Sequence, residues 1–225
     1  LDQVTFLGKQ SHGLPFHEVD LVVRESELVV IQHERSQRTR EVASMLQGLS
    51  PPDGGKVLFQ NQTWDGIDYT RHFEMRSRIG RVFEGQGWIE NANMMENVTL
   101  ASRHHGAKRK IVRKQLREWI DRLEIVDVSR ERPAFVEPAL LQIYQWIRAL
   151  IHRPKLLILE RPMQFVSSKM LPKLVTAVNE LRAIGSGVLW MTNSGIANED
   201  LVTPDLMIQI QRGQWRQLTG EDRDE

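Results

Sequence analysis

A run of four large aliphatic residues, Leu156 to Leu159, constrains the fold of this chain more than any other stretch. It follows a turn at His152-Arg153-Pro154 and stops at Glu160-Arg161-Pro162. An uninterrupted aliphatic run of strand length is typical of a strand buried on both faces of a parallel sheet. The run therefore predicts an α/β architecture in which helices cover both faces of the sheet.

The stretch from Arg148 to Pro162, RALIHRPKLLILERP, resembles the Walker B region of ATP-binding-cassette (ABC) transporter ATPase subunits. In that family the same helix, His-Arg-Pro turn and strand end in Asp-Glu-Pro. The resemblance extends in ordered layout from Val4 to about Leu218 and includes the runs PPDGGKVLF and IGRVF. It implies an ABC-type, P-loop NTPase-like core with an N-terminal antiparallel β layer and a helical insertion.

The resemblance also implies how the chain is divided. We expect a single domain over residues 1–225, with the core and β layer at 1–89 and 150–220, a helical subdomain at about 90–149, and a disordered acidic tail at 221–225. The predicted elements of the first third are strands Val4 to Leu7, Val19 to Val23, Leu28 to Ile31 and Lys56 to Gln60, and a helix with Val42, Met45, Leu46 and Leu49 at helical spacing.

Composition excludes several classes of function. The chain has 30 Lys+Arg and 29 Asp+Glu, so its net charge gives no overall attraction to nucleic acid or acidic lipid. It has no cysteine, which excludes disulfides and thiolate metal sites and favours an intracellular protein. No apolar run approaches the ~20 residues of a membrane helix, and no signal-peptide layout is present, so we expect no direct membrane insertion.

One local charge run departs from this balance. Arg103 to Arg117 contains seven Lys or Arg, two His and no acid. Val112, Leu116 and Trp119 recur at helical spacing and give the run one apolar face. Because exposed aromatic residues do not interleave with the cations, we interpret the run as a solvated helix face and predict no nucleic-acid partner.

The phosphate-binding loop of the ABC family, GxxxxGK[ST], would lie between Leu28 to Ile31 and the following helix. Counting back from Gly48, its first Gly falls on His33, its second on Arg38, its Lys on Thr39 and its Ser/Thr on Arg40. None of the four is kept. Without glycine, a loop that points its N–H groups around phosphate must hold residues with side chains at positive φ, which costs ~1–2 kcal/mol each. We therefore interpret His33 to Arg40 as a solvated polar loop. An alternative is that Arg38 or Arg40 replaces the Lys.

The other motifs that the resemblance implies are also altered. The signature segment falls on Val136 to Leu140 and has lost its Ser and both Gly, while Pro138 lacks a backbone donor. The magnesium-binding Asp is Glu160, and the general-base Glu is Arg161, a guanidinium that cannot accept a proton at physiological pH. The switch His is Asn193.

The resemblance with these changes predicts a catalytically inactive ABC subunit, a pseudo-ATPase, with no catalytic, cofactor-binding or metal-binding residues. It would scaffold or regulate a membrane transport complex at the cytoplasmic face of the membrane. Its partners would be a permease and possibly a second ABC subunit, as a homodimer or heterodimer. Two alternatives remain open: an ABC ATPase with residual ATP and magnesium binding, and a regulatory protein of this fold that works away from any transporter.

A docking surface is predicted just after the strand Ile79 to Phe83. In ABC subunits this region carries a Gln, here Glu84, and the surface around it receives the permease. The predicted partner-binding residues are Glu84, Gln86, Trp88, Ile89 and Glu90.

Overall fold

The computed structural model of the protein describes residues 1–8, 12–85, 87–193, 201–211 and 213–218. Six strands form the central sheet. In spatial order they are β11 (Gln214–Leu218), β10 (Leu206–Gln211), β3 (Leu28–Gln32), β9 (Gly187–Thr192), β8 (Leu156–Glu160) and β7 (Ile79–Val82). Strand β11 is antiparallel to β10, and all the other neighbouring pairs are parallel. The predicted α/β fold with a parallel core is confirmed.

The described residues form six α-helices. They are α1 (Arg40–Leu46), α2 (Tyr69–Arg76), α3 (Met94–His104), α4 (Arg109–Arg122), α5 (Pro138–Leu150) and α6 (Leu171–Ala183). Short 3₁₀ helices cover Pro133–Phe135 and Ser168–Met170. Helices α3, α4 and α5 follow one another between β7 and β8 and pack against one another. None of the described helices is long and apolar enough to cross a bilayer.

A second, antiparallel sheet forms the N-terminal β layer. Its strands are β1 (Asp2–Phe6), β2 (Phe16–Val19) and β4 (Gly54–Lys56), in the order β2-β1-β4. The predicted strand Val19 to Val23 is wrong by about four residues. The reason is aromatic packing, because Phe16 is fully buried between Phe6 and Trp215.

The predicted strand Lys56 to Gln60 is also interrupted. Gly54–Lys56 pairs with β1, whereas β5 (Leu58–Phe59) pairs with β6 (Gln62–Thr63). Gln60 and Asn61 have φ of 51° and 61°, so the chain reverses in a tight turn there. The predicted disordered tail at 221–225 lies outside the described residues.

Successive side chains on the central strands point to opposite faces of the sheet and belong to two separate hydrophobic cores. On β8, Leu157 and Leu159 face the core beneath α3 to α6, while Ile158 faces the core that contains α1 and the β layer. Strand β9 alternates in the same way, with Trp190 on the first side and Met191 on the second. Both faces of the parallel sheet are therefore buried, as the aliphatic run predicts.

Helix α1 covers one face of this sheet with Val42, Ala43 and Met45, all buried. The sequence placed Leu49 on the same apolar stripe, and this is wrong, since its side chain is 60% exposed. The helix ends at Leu46, before Leu49 could complete the stripe, and the chain turns at Gly48 with φ of 64°. The apolar stripe of α1 is therefore shorter than the sequence predicts.

Candidate functional site

The candidate site lies where the carboxyl ends of β3, β7, β8 and β9 meet. In open parallel sheets, ligands bind outside this edge, because loops from neighbouring strands converge there. Here β3 leads into residues 33–39, β7 leads to Glu84, and β8 ends at Glu160. Six residues form one contact network, called here the charged cluster: Arg38, Thr39, Arg81, Glu84, Glu160 and Arg161.

The deepest part of the charged cluster is an ion pair between neighbouring strands. Arg81 Nε on β7 donates to Glu160 Oε1 at the end of β8 over 2.5 Å, and both side chains are buried. The Arg81 guanidinium also donates to Ser44 Oγ, Gln47 Oε1 and the Arg40 carbonyl, at 2.9 to 3.2 Å. Burial raises the pKa of Glu160 above its ordinary value, and the nearby guanidinium opposes that shift.

The second carboxylate, Glu84, lies at the N-terminus of α1. Its Oε2 accepts hydrogen bonds from the backbone N–H of Thr39 at 2.9 Å and from Thr39 Oγ1 at 3.3 Å. Its Oε1 lies 2.9 Å from Arg38 Nη1 and 3.1 Å from Arg161 Nη1. A protein carboxylate therefore occupies the helix terminus that attracts phosphate in P-loop proteins.

Arg161 fixes the loop that precedes α1 from the other side. Its Nη2 donates to the carbonyls of Arg35 and Gln37, at 2.9 and 2.6 Å. Its own backbone has φ of 42°, in the left-handed region that residues with side chains rarely occupy. The contacts with Glu84 and the loop hold it there, so Arg161 is an internal cation bound by carbonyl oxygens.

The loop from His33 to Arg40 does not form an anion nest. A nest needs backbone that alternates between right-handed and left-handed conformations, so that successive N–H groups converge. None of residues 33–40, all of which the structure describes, has positive φ. The loop therefore avoids the predicted strain by taking a different path, and two of its carbonyls point at a guanidinium.

His33, at the start of this loop, is buried and takes no part in the ion pairs. Its Nδ1 lies 2.9 Å from the Glu34 carbonyl oxygen, and its buried Nε2 has no hydrogen-bond partner. Burial is the main cause that lowers the pKa of His33, and Arg161 adds to the shift. The imidazole is therefore neutral at physiological pH.

The charged cluster does not fit the magnesium nucleotide that the family resemblance implies. Glu160 Oε1 is bonded to Arg81, and its Oε2 lies 3.2 Å from Thr39 Oγ1, whose one hydroxyl proton is shared with Glu84 Oε2 at 3.3 Å. Glu84 holds the first N–H of α1, and no nest exists for phosphate oxygens. Nowhere in the described part of the chain do three His, Cys, Asp or Glu residues converge as a metal site.

The sequence did not single out Arg81, which forms the buried ion pair of the charged cluster with Glu160. One signal was available: an Arg stands within the apolar strand run IGRVF, whose neighbours Ile79 and Val82 are buried. A charge at a core strand position is rarely tolerated without a partner. Its partner lies 79 residues away, so strand adjacency had to be known before the pair could be named.

The predicted partner-binding residues separate into two groups. Glu84 faces inward, as part of the charged cluster, and Gln86 lies outside the described residues. Trp88 is half-buried, with its ring beneath the Arg148 guanidinium at 4.2 Å, whereas Ile89 is 45% exposed and Glu90 is exposed. The surface that remains available for a partner is therefore Trp88, Ile89 and Glu90.

Buried contacts hold this surface in place. Asn97 on α3 accepts from the Ile89 N–H at 2.8 Å and donates to the Ile89 carbonyl at 3.0 Å. Arg148 on α5 donates to the Gly87 carbonyl and stacks on Phe83 as well as on Trp88. Burial lowers the pKa of Arg148 to about 10, so the guanidinium remains charged at neutral pH. The segment is thus ordered without a partner.

The start of α5 is the predicted position of the altered signature segment. Pro138 occupies the first turn of the helix, and Glu137 precedes it without capping through its side chain. Val136 is buried and extended, while Glu137 and Pro138 are exposed. The terminus therefore presents a carboxylate and a residue without an N–H.

Comparison with curated proteins finds relatives among ATP-binding proteins of import systems. The Fe(3+) ions import ATP-binding protein FbpC of Streptomyces avermitilis is 25% identical over 214 residues, which are 90% of this chain and 60% of that protein. The spermidine/putrescine import ATP-binding protein PotA of Frankia alni is 23% identical over 201 residues, covering 89% and 42%. An uncharacterized ABC transporter ATP-binding protein of Alkalihalophilus pseudofirmus is 27% identical over 151 residues, covering 66% and 53%.

The chain spans about half the length of the curated relatives it matches. No protein-family model matches it. Among solved structures, a bacterial ABC transporter cassette determined as a dimer superposes with a TM-score of 0.82 at 21% identity, covering 97% of this chain and 98% of that one. The ATP-binding subunit of another ABC transporter gives a TM-score of 0.80 at 18% identity, covering 96% and 88%. These similarities establish the fold of the domain.

Proposed function

Since the chain is a homologue of ABC transporter ATP-binding subunits, we propose that it is a non-hydrolysing subunit that scaffolds or regulates a transport complex. The observation that carries this proposal is the contact of Arg161 with Glu84 and with the loop carbonyls of Arg35 and Gln37. It places an arginine where the resemblance expects the general base. It also fills the space in front of the loop with the protein's own charges.

Hydrolysis would lack its proton acceptor. Arg161 is a cation and is already committed to an ion pair and two carbonyls. The loss of a general base removes a factor of about 10² to 10⁴ in rate. Glu160 cannot substitute for it, since it is buried and its Oε1 is bonded to Arg81.

Nucleotide binding would require the charged cluster to open. A phosphate oxygen at the N-terminus of α1 would compete with Glu84 for the N–H of Thr39. Displacing Glu84 would leave the guanidinium of Arg161 without its only carboxylate partner among the described residues. A phosphate group would therefore have to replace the two ion pairs and the two Thr39 hydrogen bonds of Glu84.

Association with a permease would use the surface of Trp88, Ile89 and Glu90. Support for this comes from its order, since Asn97 and Arg148 hold the segment before any partner is bound. A preordered surface loses less conformational entropy on binding. The partner complex would then form without ATP, at the cytoplasmic face of the membrane, with or without a second ABC subunit as homodimer or heterodimer.

The test of inactivity combines hydrolysis with thermal denaturation. Saturating Mg-ATP should leave the melting temperature of the purified chain unchanged, since a ligand stabilises only by binding the native state. No turnover should be detected. Turnover that disappears in Glu160→Gln would instead establish residual hydrolysis, and a magnesium-dependent rise in melting temperature that disappears in Arg38→Ala would establish residual ATP binding.

The docking surface is tested by co-purification with the products of neighbouring genes, with and without Mg-ATP. Trp88→Asp with Ile89→Asp should abolish the complex. The matched control is Val126→Asp with Ile184→Asp, two exposed apolar residues on other surfaces, which should leave it intact. Assembly that depends on ATP contradicts the scaffold proposal, and assembly that survives both substitutions contradicts the docking site.

A further inference from the structure

The N-terminal half of α4 carries a face of unpaired cations. We call Lys108, Arg109, Lys110, Arg113 and Lys114 the basic face; all five side chains are exposed. Within the described residues, none of them forms an ion pair or a side-chain hydrogen bond. The net charge of the whole chain is near zero, but this part of its surface carries a local concentration of positive charge.

The C-terminal half of the same helix is different. Arg117 pairs with Asp121 at 3.1 Å, and Arg122 pairs with Glu180 at 2.8 Å. Glu118 pairs with Arg153 at 3.1 Å. The carboxylates of this half therefore pair with Arg117, Arg122 and Arg153. Glu118 and Asp121 line the same surface hollow as Lys110, Arg113 and Lys114 but form no ion pair with them.

The basic face is not needed to hold α4 in the fold. The helix is attached through a buried stripe of Val112, Leu116, Trp119 and Ile120. Cations in the first turn oppose the helix dipole, and like charges four residues apart, such as Lys110 and Lys114, repel one another. Both arrangements destabilise the helix, so the charges work against folding and not for it.

We propose that the basic face of α4 binds an anionic phospholipid surface. Lys and Arg near such a surface are attracted by its negative potential and need no fixed spacing of phosphates, because lipids rearrange around them. Ile111, which is 50% exposed, lies on the solvent side of the helix beside these cations and can contact the acyl boundary. Charge complementarity thus identifies the occupant.

Nucleic acid is the competing anionic partner, and the structure favours it less. Single-stranded nucleic acid is held by stacking of bases on exposed aromatic side chains. The aromatic residue of α4, Trp119, is buried and lies beneath Arg122. The basic face offers charge without a stacking platform, which fits lipid headgroups. This inference goes beyond the proposed function, since it needs neither a permease nor ATP chemistry.

The test is sedimentation of the full chain with vesicles of phosphatidylcholine alone and of phosphatidylcholine mixed with phosphatidylglycerol. We expect binding only to the anionic vesicles, and we expect it to weaken as salt increases.

Lys110→Glu with Arg113→Glu and Lys114→Glu should weaken vesicle binding by at least about 100-fold, since each cation contributes a factor of about five. The matched control reverses the same number of exposed charges elsewhere, with Lys56→Glu, Lys155→Glu and Lys169→Glu.

The control should bind like the unaltered chain. Thermal denaturation checks the fold, and the basic-face variant should melt no lower than the parent because Lys110→Glu places an acid in the first turn. If that variant does not fold, Lys110→Ala with Lys114→Ala replaces it, with an expected loss of about 25-fold. No binding to anionic vesicles, equal loss in the control, or tighter binding to duplex DNA than to vesicles overturns the proposal.

Discussion

Replacing Arg81 by Met should destabilise the fold strongly, and more at neutral than at acid pH. Arg81 and Glu160 are buried, and the substitution leaves the Glu160 carboxylate without its cation. Removing one member of a buried ion pair typically costs ~3–5 kcal/mol. It also removes the hydrogen bonds to Ser44, Gln47 and the Arg40 carbonyl. Urea denaturation followed by circular dichroism measures the loss.

Leaving the Glu160 carboxylate without its cation cannot cost more free energy than protonating that carboxylate. The unfolded-state pKa of Glu160 is 4.5, and the folded-state pKa lies above it because of burial. Protonation of Glu160 therefore contributes to the free energy of unfolding below pH 4.5, and this contribution is lost as pH rises through the folded-state pKa. Taking up a proton costs about 1.4 kcal/mol per pH unit above 4.5, which is about 3.4 kcal/mol at pH 7 and about 0.7 kcal/mol at pH 5. The cost of Arg81→Met should shrink by up to about 2.7 kcal/mol between these values.

A double-mutant cycle separates the ion pair from the other contacts. Glu160→Gln keeps the shape of the side chain and removes its charge. In the double variant with Arg81→Met, the loss of unfolding free energy should be smaller than the sum of the single losses by more than about 1.5 kcal/mol. The reason is that Glu160→Gln removes the carboxylate that Arg81→Met leaves unpaired. Losses that add to within about 0.5 kcal/mol, or a cost of Arg81→Met that is equal at pH 5 and pH 7, would refute the reasoning.

Two further predictions concern other parts of the fold. Burial lowers the pKa of His152 to about 4 from 6.5, so its stability contribution is present above pH 6.5 and is lost as pH falls. His152→Gln should therefore remove about 2 kcal/mol of the difference in unfolding free energy between pH 7 and pH 5, in parallel urea titrations. Gly48→Ala should cost about 2 to 4 kcal/mol, because Gly48 has positive φ and its new methyl group would overlap the Trp64 ring. Gly66→Ala, also at positive φ but with open space around it, should cost only about 1 to 2 kcal/mol in the same assay.

The sequence predicts the strands of the central sheet better than it predicts the residues at which elements begin and end. Strand β8 was predictable because four aliphatic residues in a row suit only a strand covered on both faces. Strand β2 was misplaced because its position depends on the contact between Phe16 and Trp215, which are 199 residues apart. Leu49 fitted the helical period, but the helix ends before it. Local patterns thus indicate the elements, while their ends depend on contacts between distant residues.

The altered motif positions were predictable, but what replaces their chemistry was not. The sequence shows that Thr39 and Arg161 stand where the family has its Lys and its base. It does not show that Glu84 turns inward and joins them, since that direction depends on how the chain leaves β7. The sequence therefore predicts which positions differ from the family's motifs. The structure shows which side chains fill the site.

The loop before α1 directs carbonyl oxygens at Arg161, and this bears on which substitutions could convert it into a phosphate loop. A lysine at position 39 would add a cation beside Arg38, Arg81 and Arg161. A glycine in the loop would not turn the carbonyls of residues 35 and 37 away from the Arg161 guanidinium. We expect each single substitution to lower stability, so that only joint changes at positions 39, 84 and 161 would create a phosphate loop. A Thr39→Lys variant as stable as the parent would contradict this expectation.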